Sequence, residues 1–230
     1  MGFMGVLSKR PGYRPDIQGL RGVAVLLVVI FHAGLPLYGG YIGVDVFFVI
    51  SGFVITRGIL RNLGRGTFSF LDFYIKRMRR LLPALSVMLV TTLLLMPLLG
   101  AATAFRSSIR TGVAAALFNA NHYLTRANDY FSASADLNPF LHTWSLSLEE
   151  QFYFLFPASL FILWKIGARV TARRRVVYGL IAICILSFCA SIYFSYISGI
   201  AGFPGEKIAF YTLPARAWQF GVGALLAIGA

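Results

Sequence analysis

Acidic residues are scarce in this sequence, and charged residues of any kind are few. The 230 residues include 8 Asp or Glu against 21 Lys or Arg, and only 13% are charged, where about a quarter is usual in soluble domains. Hydrophobic residues make up 58%, and the mean hydropathy is +0.74. This composition excludes an ordinary soluble domain and predicts an all-α, polytopic bundle of transmembrane helices.

The residue patterns of several common catalytic sites are also missing. The three histidines, His32, His122 and His142, are scattered, without an H-x-x-x-H or C-x-x-C spacing, so no metal site is expected. Neither a G-x-S-x-G elbow nor a P-loop occurs. Cys184 and Cys189 are five residues apart in one apolar run, where they point in different directions on a helix and are not expected to form a disulfide.

What the sequence does contain is a series of long apolar runs. Spans are predicted at residues 22–37, 44–59, 81–99, 144–164 and 176–197, with a last one starting near Trp218. That last run reaches residue 230 before a span is complete. We therefore expect residues 1–230 to be the N-terminal part of one longer integral-membrane domain, with about six to seven spans in this part.

Basic residues are clustered, and the clusters predict the orientation. Of 21 Lys and Arg, 16 lie within residues 1–21, 57–80 and 165–175, and such clusters mark the cytoplasmic side. The N-terminus and two basic loops are therefore expected in the cytoplasm, beside membrane lipid, and the net charge of +13 does not indicate a nucleic acid partner. Residues 101–143 are predicted to be mostly extracytoplasmic or re-entrant, because a full span near 113–123 would move the third cluster outside.

The first two apolar runs carry ionisable groups at membrane depth. Arg21 opens the first run, His32 follows after ten intervening residues, and Asp45 stands near the start of the second. At about 1.5 Å per residue, His32 lies roughly 16 Å beyond Arg21 on one helix. Because a short turn at residues 35–41 joins the runs, His32 and Asp45 are expected to approach each other. Such groups usually face a bundle interior or a wet cavity, which predicts a functional site.

A pair of arginines follows in the basic segment. Arg77 and Arg80 share one face of a helix predicted for residues 72–80, and together they suit a phosphate group. Contact with anionic lipid is the alternative. Pro83 is expected in the first turn of the third span.

The segment from residue 137 to 157, LNPFLHTWSLSLEEQFYFLFP, holds two adjacent carboxylates. Ser147 and Glu150 have the spacing of a capping box, which predicts that a helix begins there and gives Glu150 a structural role. Glu149 has no such role and is the candidate site residue. Its alternative is favourable placement in the first turn of a helix.

These stretches together resemble the membrane-bound acyltransferase 3 family. PDIQGLRGVAVLLVVIFHAG is similar to the family's R-x10-H signature, GGYIGVDVFFVISGFVIT to its second-helix motif, FYIKRMRRLLPAL to its R-x-x-R segment and HTWSLSLEEQFYFLFP to its W-S-L-x-x-E motif. YTLPARAWQFGVGALLA, from Tyr211, resembles the seventh-helix region of the subgroup that often carries a C-terminal SGNH domain. Gln219 departs from the pattern, since many members have Glu there.

The resemblance implies an O-acyltransferase of the bacterial cytoplasmic (inner) membrane. It implies transfer of an acyl group, most often acetyl, from cytoplasmic acyl-CoA to a hydroxyl of an extracytoplasmic glycan such as O-antigen, peptidoglycan or exopolysaccharide. Carried over by position, the family's essential Arg and His fall on Arg21 and His32, its R-x-x-R on Arg77 and Arg80, and its motif Glu on Glu149. Acetyl-CoA is the implied co-substrate without a metal, and an SGNH-type domain absent from this sequence is an expected partner.

The chemistry of these side chains fits that reaction. Imidazole, whose ordinary pKa is about 6.5, suits removal of a hydroxyl proton, so His32 is the candidate general base or, alternatively, a transient acyl carrier. Asp45 either fixes the tautomer of His32 or caps the second helix. Arg21, with the R-x-x-R pair, is expected to hold the donor's phosphates or else to snorkel to the interface. Glu149 is expected to orient the acceptor sugar or to assist proton removal.

Two other classes of protein stay open on the sequence alone. Polar groups lining a bundle equally suit a transporter or flippase that moves an acyl group or a glycan intermediate without chemistry. A chain that ends within its last span also suits a non-catalytic, truncated assembly partner. A labelled acetyl-CoA assay separates the first of these from an enzyme, because a transporter gives no acylated glycan.

Overall fold

The computed structural model describes residues 14–37, 39–98, 102–126, 138–166, 171–196, 200 and 203–229. These residues form nine helices: α1 Pro15–His32, α2 Ile42–Arg65, α3 Phe70–Leu98, α4 Ala102–Ala116, α5 Ala120–Arg126, α6 Thr143–Lys165, α7 Ala172–Tyr196, α8 Gly205–Tyr211 and α9 Leu213–Gly229. The prediction of an all-α helical bundle is confirmed. The parts of our predictions that fall on residues 1–13, 38, 99–101, 127–137, 167–170, 197–199, 201–202 and 230 lie outside the described residues.

Four helices in the described part of the chain, α1, α2, α3 and α7, are long and apolar enough to cross a membrane. Together with the composition, they identify an integral membrane protein. Helix α6 has 23 residues but contains two adjacent carboxylates, and α9 has 17 residues. The expected total of six to seven spans stays a prediction.

The first two helices form the expected antiparallel hairpin, but α1 lies further toward the N-terminus than predicted. Pro15 occupies the first turn, where its missing N–H breaks no helical hydrogen bond. The helix ends at His32 because Gly34 has a φ of +69°, a conformation that favours glycine, and Pro36 follows. His32 and Asp45 therefore lie at the same end of the hairpin.

The segment predicted as a basic loop, residues 57–80, is helical on both sides of a short turn. Helix α2 continues until Gly66, whose φ is +71°, and α3 begins at Phe70 and runs through Pro83. Pro83 therefore lies inside the helix and not in its first turn, as membrane helices tolerate. Arg, Lys and Leu are good helix formers, so the density of charge did not end either helix. The cytoplasmic placement of this segment stays a prediction.

Helices α2, α6 and α9 meet around stacked aromatic rings at the centre of the described bundle. Phe220 of α9 stacks on Phe152 of α6 and on Phe48 of α2, with ring centroids 4.2 Å and 4.6 Å apart. Glycine lets α2 and α9 touch, since a Cβ added at Gly52 would overlap the α9 backbone and one added at Gly223 would overlap the α2 backbone. Direct backbone contact therefore fixes α2, which carries Asp45, against α9.

Helices α4 and α5 are too short to cross the membrane. The longer, α4, has 15 residues, which is about 22 Å of helix against roughly 30 Å of hydrocarbon. Phe118, with a φ of 53°, makes the turn between them. Two side chains of α6 hold this turn: the Ser147 hydroxyl accepts from the Ala120 amide at 3.2 Å, and the Gln151 amide donates to the Phe118 carbonyl at 3.0 Å. The re-entrant path expected for this segment stays a prediction.

The capping box predicted at Ser147 and Glu150 is wrong. Helix α6 begins at Thr143, with His142 in the N-cap position. Ser147 therefore lies inside the helix, where its hydroxyl holds the turn between α4 and α5. The S-x-x-E pattern occurs one turn after the true start of the helix, and Glu150 is bonded to another residue.

Candidate active site

A cavity of about 610 Å³ lies between α2, α3 and α6, and most of its charged side chains are basic. Arg77, Arg80 and Lys76 line it from α3, and Arg21 lines it from α1. Glu149 of α6 lies in the same cavity. The structure thus brings four of the predicted site residues together, three arginines and one carboxylate. We call this the cationic cavity.

Arg77 is held on two sides within the cationic cavity. Its Nε donates to Oε2 of Glu150 at 2.9 Å, and its Nη2 donates to Oε1 of the same carboxylate. Its guanidinium carbon lies 3.3 Å from the ring centroid of Tyr153. Glu150 is only 6% exposed, and removing one partner of a buried pair costs about 3–5 kcal/mol. Helix α6 therefore fixes Arg77, whereas Arg80 is exposed and makes no hydrogen bond within the described residues.

Glu149 accepts two hydrogen bonds through one oxygen. The hydroxyls of Ser51 on α2 and Tyr153 on α6 both donate to its Oε1, and Oε2 receives no hydrogen bond from the part of the chain that the structure describes. The carboxylate is thus fixed at Oε1 and open at Oε2. From the sequence we expect Glu149 beside the acceptor, whereas the structure places it among the arginines.

Arg21 lies where α1 borders the cationic cavity. Its guanidinium carbon is 5.4 Å from the ring centroid of Phe47 on α2, within the range of a cation–π contact. The side chain therefore faces α2 and the cavity.

A second cavity, of about 210 Å³, lies toward the other end of α1 and α2 and contains His32 and Asp45. We call it the imidazole cavity. Nδ1 of His32 is 2.8 Å from the carbonyl oxygen of Val28. Because a carbonyl only accepts, Nδ1 of the neutral ring carries the proton and Nε2 keeps its lone pair. His32 thus has, through its own helix, the tautomer that a base acting through Nε2 requires.

Asp45 lies in the imidazole cavity with His32, but it accepts its hydrogen bonds from other residues. Nη1 of Arg216 donates to its Oδ1 at 2.7 Å, and Nε2 of Gln219 donates to the same oxygen at 2.9 Å. Within the described residues no hydrogen bond joins His32 to Asp45, because α9 supplies both donors to the carboxylate. The tautomer of His32 is set instead by the carbonyl of Val28.

Arg216 is itself enclosed by protein. Its Nε donates to the carbonyl of Phe210 at 3.0 Å, and its guanidinium carbon lies 4.8 Å from the Phe210 ring centroid and 5.7 Å from that of Trp144. Its side chain is 14% exposed. The Asp45 carboxylate is therefore held by a cation whose own position is fixed.

His142 adds a second ring to the imidazole cavity. It precedes α6, outside the membrane-spanning helices. Desolvation by the surrounding protein lowers the pKa of His142, and the nearby His32 lowers it further, so the ring is mostly neutral near pH 7. The two imidazoles have no third ligand, since among the described residues no group of three His, Cys, Asp or Glu could hold a metal ion.

Comparison with known proteins identifies the family of the chain. Residues 14–229 match the family described as an acyltransferase domain, and the chain belongs to this acyltransferase 3 family. It is 39% identical over 216 residues to BcsY of Komagataeibacter xylinus, named as a proposed membrane-bound transacylase, which covers 93% of this chain and 50% of BcsY. It is 31% identical over 223 residues to YrhL of Bacillus subtilis, named as a proposed peptidoglycan O-acetyltransferase, which covers 94% of this chain and 33% of YrhL.

Other relatives are matched over a shorter stretch. A proposed O-acetyltransferase of Staphylococcus aureus is 37% identical over 161 residues, which covers 66% of this chain and 25% of that protein. The chain thus spans about half the length of BcsY and less of the other two. No solved structure matches it.

Sequence reasoning missed the residues that hold the site in place. The capping-box pattern concealed the role of Glu150, and Ser51 and Tyr153 gave no signal, because hydroxyl side chains are common in apolar helices. A signal did exist for Arg216: it is a cation beside an apolar run, and it stands three residues before Gln219, where this sequence departs from the pattern of the family.

Proposed function

We propose that the protein transfers an acyl group from acyl-CoA on the cytoplasmic side of the bacterial inner membrane to a hydroxyl of an extracytoplasmic glycan. The acyl group that we propose is acetyl. The observation that carries the proposal is that one helix serves two cavities. Arg21 of α1 lines the cationic cavity and His32 of α1 lines the imidazole cavity, roughly 16 Å apart along the helix. A long thioester held by its phosphates at one end reaches toward a base at the other.

The cationic cavity is the proposed donor site. Coenzyme A carries several phosphate charges, and guanidinium groups pair with phosphate strongly and directionally. Arg80 and Arg21 provide cations for these phosphates, and Arg77, oriented by Glu150, provides a third. The open Oε2 of Glu149 is an acceptor for an amide N–H of the pantetheine arm, so we propose a role for Glu149 on the donor side.

The imidazole cavity is the proposed site of chemistry. Nε2 of His32 takes the proton of the acceptor hydroxyl while the hydroxyl oxygen attacks the thioester carbon. The new C–O bond forms as the C–S bond breaks, and the CoA thiolate leaves and recovers the proton from the imidazolium. Holding both reactants beside one base lowers the barrier by orientation as well as by proton transfer.

The relatives' names support this reaction class. Two of them are named as proposed O-acetyltransferases, one of these for peptidoglycan, and a third is named as a proposed membrane-bound transacylase. For this chain, acetyl-CoA as donor, a glycan as acceptor and a following SGNH-type domain as partner are parts of the proposal.

The test is acyl transfer across a bilayer by the purified full-length protein. Proteoliposomes enclose acetyl-CoA labelled in the acetyl group, and chitotetraose is added outside. We expect release of CoA thiol inside and a saccharide heavier by one acetyl group outside. His32→Gln, which keeps a polar side chain without a base, should lower both by about 10²–10⁴-fold. Labelled acetyl groups that cross without forming an ester would indicate transport, and CoA release unaffected by His32→Gln would exclude the proposed chemistry.

A further inference from the structure

The two hydrogen bonds that Asp45 accepts both end on one oxygen of its carboxylate. Arg216 and Gln219 both donate to Oδ1, and Oδ2 receives no hydrogen bond from the described residues. The side chain is 36% exposed and lines the imidazole cavity. A carboxylate fixed at one oxygen and open at the other suits a ligand that donates hydrogen bonds, as a hydroxyl does.

The charge of the imidazole cavity also distinguishes its ligand from that of the cationic cavity. Its lining contains one carboxylate and one guanidinium, Asp45 and Arg216, which form an ion pair at 2.7 Å. The two charges of this pair cancel, so the imidazole cavity offers no net charge to a ligand, whereas the cationic cavity holds several arginines. An uncharged, hydrogen-bonding ligand fits the first and an anionic one the second.

The size and walls of the imidazole cavity narrow the choice further. Its volume is about 210 Å³, below the roughly 300–1,000 Å³ of pockets for drug-sized ligands, so it admits a single ring. Aromatic side chains form much of the wall, including Tyr41, Trp144 and Phe210. Apolar walls with a few fixed polar groups are the usual composition of a small-molecule site, and a pyranose ring has both apolar faces and donating hydroxyls.

We propose that Asp45 binds the acceptor sugar in the imidazole cavity through its Oδ2, taking a neutral pyranose by its hydroxyls, and that Arg216 and Gln219 are positioning residues for that carboxylate. The inference rests on the proposed acyl transfer and assigns the acceptor subsite within it. One hydroxyl donates to Oδ2 of Asp45, and a neighbouring hydroxyl faces Nε2 of His32. The same ring is thereby held and presented to the base.

Two variants test the carboxylate and its support. Asp45→Asn keeps the shape and still accepts from Gln219 through its carbonyl oxygen, but it replaces Oδ2 with a donor. Arg216→Lys keeps the charge and loses the hydrogen bonds of the guanidinium. Arg126→Lys is the matched control, because Arg126 lies on α5 beside a different cavity.

The assay separates acceptor binding from donor chemistry. With the full-length protein in proteoliposomes, CoA release is measured against the concentration of acetyl-CoA and, separately, against that of chitotetraose. Release without saccharide reports transfer of the acetyl group to water. Both variants should raise the KM for chitotetraose by about ten- to hundredfold. A factor of this size corresponds to the loss of one hydrogen bond to a charged group. The KM for acetyl-CoA should match that of Arg126→Lys. The unfolding temperature should fall for Asp45→Asn, which leaves the Arg216 cation without its carboxylate, and should fall less for Arg216→Lys, which keeps the charge.

The possible results separate a failure of this inference from a failure of the proposed function. A rise in the KM for acetyl-CoA, or equal losses with and without saccharide, would assign Asp45 and Arg216 to the donor or to the fold and overturn the inference. The inference is also overturned if the unchanged protein releases CoA but chitotetraose neither stimulates release nor binds. If the unchanged protein releases no CoA at all, the proposed function itself fails.

Discussion

The ion pair between Arg77 and Glu150 allows a prediction in which stability and donor binding respond differently. Glu150→Leu removes the carboxylate and leaves the Arg77 cation facing the Tyr153 ring. Breaking a buried pair costs about 3–5 kcal/mol, and since the Arg77 side chain is 22% exposed and borders a cavity, we expect the lower end, about 3 kcal/mol. At roughly 2–4 °C per kcal/mol for a chain of this size, the unfolding temperature should fall by about 6–12 °C.

Replacing both partners should restore stability but not activity. The double variant Arg77→Met with Glu150→Leu removes both charges and fills the space with apolar side chains, which is often neutral. We therefore expect its free energy of unfolding to return to within about 1 kcal/mol of the unchanged protein. The KM for acetyl-CoA should be higher than that of the unchanged protein, because the double variant lacks Arg77, one of the cations proposed to bind the donor.

The assay is a double-mutant cycle followed by thermal unfolding in detergent, with CoA release measured on the same samples. Arg79→Met is the matched control, since Arg79 is an exposed cation on the same helix and lies outside the lining of the cationic cavity. Two results would refute the reasoning. One is an effect of Glu150→Leu no larger than that of Arg79→Met, and the other is a double variant as unstable as the sum of the singles.

The remaining predictions concern the base, the exposed donor cation and the contact between helices. His32→Gln should lower transfer by about 10²–10⁴-fold with unchanged unfolding temperature, because the ring is exposed and its hydrogen bond within the described residues is to Val28 of its own helix. Retained activity would remove His32 from catalysis. Arg80→Ala should raise the KM for acetyl-CoA about tenfold or more and leave unfolding unchanged, and an unchanged KM would assign Arg80 to lipid or orientation alone. Gly223→Ala should lower the free energy of unfolding by about 1–3 kcal/mol, since its Cβ would overlap the α2 backbone. The control Gly229→Ala, where a Cβ meets nothing, should be near neutral in thermal unfolding. Equal effects of the two variants would contradict the close contact.

Local features of the site were predictable from the sequence. Arg21 and His32 lie on one helix, so their separation follows from the helical rise alone. The short turn after His32 places Asp45 at the same end of the hairpin, and the structure has both in one cavity. What the spacing left open was the bonding of Asp45, because Arg216 is 171 residues away in sequence and no local pattern relates the two.

The errors came from treating local patterns as sufficient. Within the basic segment 57–80 the sequence predicts helix only for residues 72–80 and a loop before them, although Arg and Lys favour helix and the chain turns only near Gly66. Ser147 and Glu150 match a capping box, yet packing against the α4–α5 turn and pairing with Arg77 give both side chains other partners. Tertiary contacts decided these positions, and a single sequence does not reveal them.

The backbone contact at Gly52 and Gly223 bears on how an acyl group would cross the bilayer in the proposed reaction. Transporters that alternate between two conformations need helices that move relative to one another. Here the backbones of α2 and α9 are in direct contact, which holds these two helices together. We therefore expect the cationic cavity and the imidazole cavity to keep the same relative position during turnover. In the reaction we propose, the helices therefore keep their positions, and the flexible thioester arm of the donor covers the distance between the two cavities.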